Sequence, residues 1–407
     1  MVSASSRRFG WFCCSMALAF GGILSGCDSG EHTVTAGSAG SPASVTAGGP
    51  SGGSAGAAAA GGTATGSLAA KYADYFPIGV AVSDVALSEF DQLLAQDFNH
   101  LTCEYQMKIA QIHPAEDTYA WDATDRVADF ARQHGMKLTG HTLLWHQEAP
   151  EWMFAGVTAG DAASLELLKS RLKAHIDAVV DRYTDVVDNW DVVNEALSDD
   201  KAKQYRDGSE GSRWYELFGS EEYIYWAFKF AKDALEAKEP GSSAGKLYYN
   251  DYTETAKADK MLKLLAWLKD DKGITIDGVG FQSHENMTWP STGELQAAIT
   301  KFKSAGYKVK ISELDVTLYS DYSSGSFVAS PAVELTADLE AKQAKRYADL
   351  LALYRANKDE ITSVTLWGVS DEQSWLNVTP VPGRSDFPLL YNGQHQPKAA
   401  RAAIMNF

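Results

Sequence analysis

Cysteine is scarce, and the few present cannot cross-link a fold. Cys13 and Cys14 lie in an apolar leader and Cys27 at its end, leaving Cys103 alone in the body of the chain, where no intramolecular disulfide can form. Cys103 closes an apolar run and reads as a small buried hydrophobe rather than a nucleophile. Positive charge is also in deficit: 36 Lys and Arg stand against 53 Asp and Glu, a formal net charge of −17, which becomes more negative once Arg7 and Arg8 leave with the leader. That balance excludes nucleic acid and an anionic membrane surface as charge-steered partners, and leaves room for a neutral polymer held by hydrogen bonds and stacking. Three motifs are missing as well. No Gly-rich phosphate turn follows the first β-rich run, Ile78-Gly79-Val80-Ala81-Val82, which argues against an open dinucleotide-binding sheet. No Gly-x-Ser-x-Gly elbow surrounds Ser283, and His141, His146 and His284 lack the His-Glu-x-x-His spacing of a helix-borne zinc site.

What the N-terminus does contain is an export signal. Arg7 and Arg8 precede an apolar run over 16–24, far shorter than the roughly 20 residues that span a membrane. It closes in Leu24-Ser25-Gly26-Cys27, which resembles a bacterial lipobox and predicts a signal peptide over 1–26 with Cys27 as the lipidated first residue of an exported protein. Residues 27–67 are almost wholly Gly, Ala, Ser, Thr and Pro after the first few positions, a composition unable to bury enough apolar surface to order itself. It predicts a flexible linker.

From 68 to 407, short apolar β-rich runs alternate with helical patterns. Strands are expected at 78–82, 98–103, 137–144, 187–194, 246–250, 278–283, 308–314 and 361–368. Helices are expected at 88–96, 124–133, 163–182, 223–238, 257–269, 293–304 and 336–356, with a last one from Pro397. Nearly continuous apolar strands separated by helices imply a parallel sheet covered on its outside, and eight such units predict a closed (β/α)8 TIM barrel as a single catalytic domain.

In such a barrel, chemistry collects at the carboxyl ends of the strands. Seven of the eight runs end in polar or indole groups: Glu104 to Lys108, His141 to His146, Asn194-Glu195, Asn250-Asp251-Tyr252, Gln282-Ser283-His284, Glu313-Leu314-Asp315 and Trp367 to Asp371. Glu195 and Glu313 close the fourth and seventh runs, on opposite sides of the barrel mouth. Two facing carboxyls are what glycosidic bond hydrolysis needs, one to protonate the leaving oxygen and one to attack or activate water. Residues two apart on a strand share a face, so Gln282 with His284, and Glu313 with Asp315, point into one cleft. An ion-pair layer closing the barrel would need basic partners, and only Lys108 stands out. Trp145, Trp367 and Trp375 fall near strand ends, where indole faces can stack on sugar rings.

These segments resemble glycoside hydrolase family 10, the endo-1,4-β-xylanases. The resemblance is carried by Gly140-His141-Thr142-Leu143-Leu144-Trp145-His146, Trp190-Asp191-Val192-Val193-Asn194-Glu195, Asp277-Gly278-Val279-Gly280-Phe281-Gln282-Ser283-His284, Ile311-Ser312-Glu313-Leu314-Asp315 and Leu366-Trp367-Gly368-Val369-Ser370-Asp371, and covers essentially the whole catalytic domain. It implies that Glu195 is the general acid/base, Glu313 the nucleophile of a retaining reaction, Asn194 a ligand of the sugar 2-hydroxyl, and His284 with Asp315 the support of Glu313. Glu104, Lys108, His141, Trp145, Gln282, Trp367 and Trp375 are implied as the lining of the glycone subsites. No metal or other cofactor is implied. The expected partners are xylan and xylo-oligosaccharides, with a membrane reached through the lipid on Cys27, no nucleic acid, and the chain a monomer. Where the family pattern is Glu-Asn-x-Met-Lys-Trp, this chain reads Glu104-Tyr105-Gln106-Met107-Lys108-Ile109, and Leu376 stands where many members place Arg. Two other readings are a glucanase or mannanase with the same chemistry, and a surface lipoprotein that binds xylan fragments without cutting them.

Overall fold

The computed structural model describes residues 66–238, 240–243, 245–321 and 328–407. The leader, Cys27 and most of the linker lie outside them. Ser67, assigned to the linker on composition, instead caps the first helix, Leu68–Lys71, its hydroxyl accepting from the Ala70 N–H at 3.3 Å. Serine suits this position because its side chain satisfies a backbone donor that has no partner within the helix.

All eight expected strands are present: β1 (Ile78–Val82), β2 (His100–Cys103), β3 (Lys137–Trp145), β4 (Val187–Asn194), β5 (Leu247–Asp251), β6 (Gly278–Phe281), then β8 (Lys308–Thr317) and β9 (Ile361–Leu366). A ninth, β7 (His284–Asn286), was not foreseen. The run expected over 278–283 breaks after Phe281, since Ser283 takes the left-handed conformation (φ 56°), and resumes as β7 pairing with the upper part of β8. Every ladder is parallel, in the order β6-β5-β4-β3-β2-β1-β9-β8, and a β6 to β8 pairing closes the barrel. β2 starts two residues later than expected and β9 ends two residues earlier.

The helices follow the same reading with shifted ends. The segment expected over 88–96 is two helices, Asp84–Glu89 and Asp91–Asp97, broken at the buried Phe90, and the one expected over 257–269 starts earlier, at Glu254, and ends in a widened turn, Trp267–Asp271. Ser291 starts Thr292–Ala305 with a reciprocal capping box to Glu294. Leu, Ile, Val, Phe and Tyr side chains from helices and strands form one continuous core. At Gly140 an added Cβ would lie 2.0 Å from the Trp190 ring, so only glycine lets β3 and β4 pair with that indole buried between them.

The barrel interior holds a polar column beneath its mouth. Lys310 of β8 donates to Asn189 at 2.6 Å and pairs with Asp191 at 2.8 Å, both on β4, and Asp191 reaches His141 of β3 at 3.1 Å. An ion-pair layer therefore does exist, built on a lysine that sequence reasoning did not single out, and it lies under the glutamates rather than using them.

The described domain, from Gly66 to Phe407, begins and ends on the opposite face. Arg401 of the last helix, Ala399–Met405, pairs with Asp97 just before β2 and donates to the Gly66 carbonyl at 2.7 Å. The final residue, Phe407, packs on Tyr72 and Tyr75, ahead of β1. Residues that precede parallel strands mark the barrel's N-terminal face, so both ends sit there.

Candidate active site

Glu195 follows directly on β4 and is held in the left-handed region (φ 56°), an arrangement that costs a non-glycine residue about 1–3 kcal/mol and tends to persist where function requires it. The residue is 9% exposed and its carboxyl accepts two hydrogen bonds, from the Trp145 indole N–H at 2.9 Å and the Gln282 amide at 3.0 Å. Glu313 sits within β8, which runs on to Thr317, so it lines the wall of the cleft rather than ending its strand as expected. It is 5% exposed and accepts from the Asn250 amide at 2.7 Å and from His284 Nε2 at 3.2 Å. The other ring nitrogen of His284 faces Asp315 at 2.9 Å, and the Trp375 indole N–H donates to the same Asp315 oxygen at 2.9 Å.

One residue joins the two halves. The Asn194 side-chain oxygen Oδ1 accepts from the Asn250 amide at 3.0 Å and from the Gln282 amide at 3.2 Å, so a continuous chain of hydrogen bonds runs from Glu195 through Gln282, Asn194 and Asn250 to Glu313. The sequence marks Asn250 only as a polar strand end. Its partner Gly280 explains the glycine there: a Cβ would stand 2.0 Å from Asn250 Oδ1, which also accepts from Ser312 at 2.6 Å.

The surroundings drive the two carboxyls apart. Burial pushes Glu195 above the usual carboxylate range, the Asp251 and Glu313 charges add to it, and the Gln282 hydrogen bond and Arg206 only partly oppose it. Burial would raise Glu313 too, but the hydrogen bond and charge of His284, the charge of His141 and the Asn250 amide outweigh it and hold the group low. Burial alone would depress His284, yet the Asp315 and Glu313 carboxylates raise it to about 10, so at neutral pH it is an imidazolium that donates from both nitrogens. A carboxyl pushed toward its protonated form and one pushed toward its ionised form thus face one cleft, the arrangement that suits one group to donate a proton while the other attacks.

Most of the remaining expected residues gather around this pair. Lys108 places its ammonium over the Trp145 ring at 4.8 Å and the Tyr105 ring at 4.7 Å. Burial pushes Glu104 up to about 7, against the Lys108 charge and a hydrogen bond from Tyr105, with Glu313 adding to the rise. Trp367 stands edge-on to His141 at 5.4 Å, and Trp375 lies 4.9 Å from the His284 ring. Two of the indoles also hold carboxyls of the cleft through their N–H, Trp145 on Glu195 and Trp375 on Asp315. Tyr105 is 44% exposed, whereas Leu376 is buried and presents no polar group. Among the described residues His141, His146 and His284 do not come close enough to share an ion: the first and last are each tied to carboxylates, and burial with the nearby Arg206 and Lys257 charges holds His146 well below the usual imidazole range. The Ser283 hydroxyl is spent on Glu254 at 3.2 Å.

Comparison with known proteins agrees in extent with this domain. The sequence model of glycosyl hydrolase family 10 matches residues 67–407. Endo-1,4-beta-xylanase B of Paenibacillus barcinonensis is 39% identical over 334 residues, covering 82% of this chain and 95% of the relative. Endo-1,4-beta-xylanase A of Caldicellulosiruptor saccharolyticus is 40% identical over 346 residues, covering 84% and 96%. Among solved structures, an endo-1,4-beta-xylanase from Caldicellulosiruptor owensensis superposes with a TM-score of 0.75 at 40% identity, covering 84% of this chain and all of that one.

Proposed function

The chain belongs to glycosyl hydrolase family 10, and from that membership we propose that it is a retaining endo-1,4-β-xylanase in which Glu195 is the general acid/base and Glu313 the nucleophile. The observation that supports the assignment is the opposite displacement of the two carboxyls within one hydrogen-bonded network. In the first step Glu313 attacks the anomeric carbon while Glu195 gives its proton to the departing glycosidic oxygen, leaving a covalent glycosyl-enzyme. Formation of the ester removes the Glu313 charge, the Glu195 pKa falls, and Glu195 takes a proton from the water that displaces Glu313 with a second inversion. None of these steps calls on a metal. Asn194, whose carbonyl is already occupied, would offer its amide hydrogens to the sugar 2-hydroxyl. Glu104, Lys108, His141, Trp145, Gln282, Trp367 and Trp375 would line the glycone subsites, with Tyr105 as an added ring that stacks on a sugar face.

The test is product analysis on xylan, β-glucan and mannan, with NMR of the first anomer formed. The expected result is short xylo-oligosaccharides released as the β-anomer, with glucan and mannan left largely intact. Preference for glucan or mannan would move the substrate, and xylan bound but uncut would end the enzyme reading.

We propose further that the protein is exported, works as a monomer, and is held at the cell envelope by lipid on Cys27, a residue outside those described; the support is the Leu-Ser-Gly-Cys sequence after an apolar leader. Cells fed labelled palmitate should label the wild type and not Cys27→Ala, and equal labelling of the two would remove the anchor.

A further inference from the structure

The carbonyl and amide groups around Glu195 are held with unusual completeness. The Glu195 N–H donates to the Asn250 carbonyl at 2.9 Å, and its carbonyl accepts from Arg206 Nε at 3.1 Å. The Ala196 carbonyl accepts from the Arg206 N–H at 2.8 Å. The next two donors, the Ala196 and Leu197 N–H groups, both point at one atom, the Tyr249 hydroxyl, at 2.9 and 3.0 Å. That hydroxyl donates in turn to Asp251 Oδ2 at 2.5 Å. Asp251 is fixed from its other oxygen by the Lys257 ammonium at 2.8 Å and the Tyr252 N–H at 2.9 Å.

Strand alternation makes β5 serve both glutamates. Asn250 points into the barrel and donates to Glu313, while Tyr249 and Asp251, one residue either side, take the other face, behind the segment that carries Glu195. Tyr249 is fully buried, and burial with the Asp251 charge keeps its phenol protonated well beyond the usual range, so the hydroxyl can donate once and accept twice. A carboxylate directed at two adjacent backbone N–H groups would place a second negative charge closer to Glu195; the phenol inserts a neutral acceptor between them.

We propose that Tyr249, oriented by Asp251, is a positioning residue for the general acid/base: its hydroxyl locks the backbone after Glu195 in the left-handed turn that aims the carboxyl at the leaving oxygen. The inference rests on the assignment of Glu195 as acid/base. A misplacement of a catalytic group by about 1 Å can cost on the order of 10²-fold in rate, so loss of this anchor is expected to act on proton transfer before it acts on anything else.

The test compares kcat/KM, per active site, for phenyl and 2,4-dinitrophenyl β-xylobiosides in wild type, Glu195→Ala, Tyr249→Phe and Asp251→Asn. The phenoxide needs protonation to leave and the dinitrophenolate does not. Tyr249→Phe is expected to lose about 10- to 100-fold on the phenyl substrate, part of the range general acid catalysis supplies, and to stay within about twofold on the dinitrophenyl one. Asp251→Asn, which keeps an acceptor for the hydroxyl, is expected to show the same asymmetry to a smaller degree and carries the test if the phenylalanine variant does not fold. Equal losses on both substrates, or no loss on either, would overturn the proposal. Glu195→Ala keeps the two failures apart: if it shows no leaving-group asymmetry, the acid/base assignment falls; if it does and the Tyr249 and Asp251 variants do not, only the positioning role falls.

Discussion

Glu313→Ala should lose xylan hydrolysis by at least about 10⁴-fold, because on the proposed assignment the change removes the nucleophile of the covalent intermediate, and residues acting as a unit leave little behind when one is deleted. The surrounding structure has reason to survive. His284 keeps Asp315 as its partner, and Asn250 keeps its bonds to Asn194 and Ser312. Circular dichroism and melting should therefore differ little from wild type, and the loss should appear in kcat on every substrate, including those with activated leaving groups. Residual turnover above about one part in a hundred on a dinitrophenyl glycoside, with the fold intact, would remove Glu313 from the nucleophile role.

Glu195→Ala should behave differently, and the difference is the more informative of the two. Xylan cleavage is expected to fall by about 10²- to 10⁴-fold, the range that a general acid/base supplies. On a dinitrophenyl glycoside the first step should survive and the glycosyl-enzyme accumulate, since the group proposed to activate water is gone. Azide, which attacks without giving up a proton, should then raise turnover by about tenfold or more and yield a β-glycosyl azide. Absence of that product would sink the acid/base assignment. The pH profile provides a second check. In the proposed roles Glu313 works ionised, and its depressed pKa should put the acid limb of kcat/KM below the usual carboxylate range; Glu195 works protonated, and its raised pKa should put the alkaline limb above it. Activity should rise through the first, fall through the second, and lose its alkaline limb in Glu195→Ala.

How much of this was readable beforehand depended on the range of the interaction. The barrel was legible because apolar runs and helical patterns alternate, and both glutamates because a carboxylate beside or within the upper part of a buried strand stands out, although β8 runs on past Glu313 to Thr317. Asn250 was visible only as one polar strand end among seven, since its importance comes from contacts with Asn194 and Glu313, 56 and 63 residues away. Lys310 was missed for the same reason: it lies inside an apolar run, and its partners Asn189 and Asp191 belong to a strand across the barrel. The end of β6 two residues before the expected 283 and the unforeseen β7 beyond it turned on the backbone of Ser283, a residue with no intrinsic preference for the left-handed region. Periodicity records which face a residue takes, and it does not record which distant residue it will meet.

The meeting of both ends of the described domain, Gly66 and Phe407, on the N-terminal face bears on how the catalyst can be handled. Gly66 is tied down by Arg401, and Phe407 packs beside Tyr72, on the side of the barrel away from the glutamates. A bead, a surface or a fused module attached at either end would hold the domain by its base and leave the mouth free, so a polymer of any length could be drawn across it without meeting the attachment. Grafting through a loop that follows a strand would forfeit that clearance.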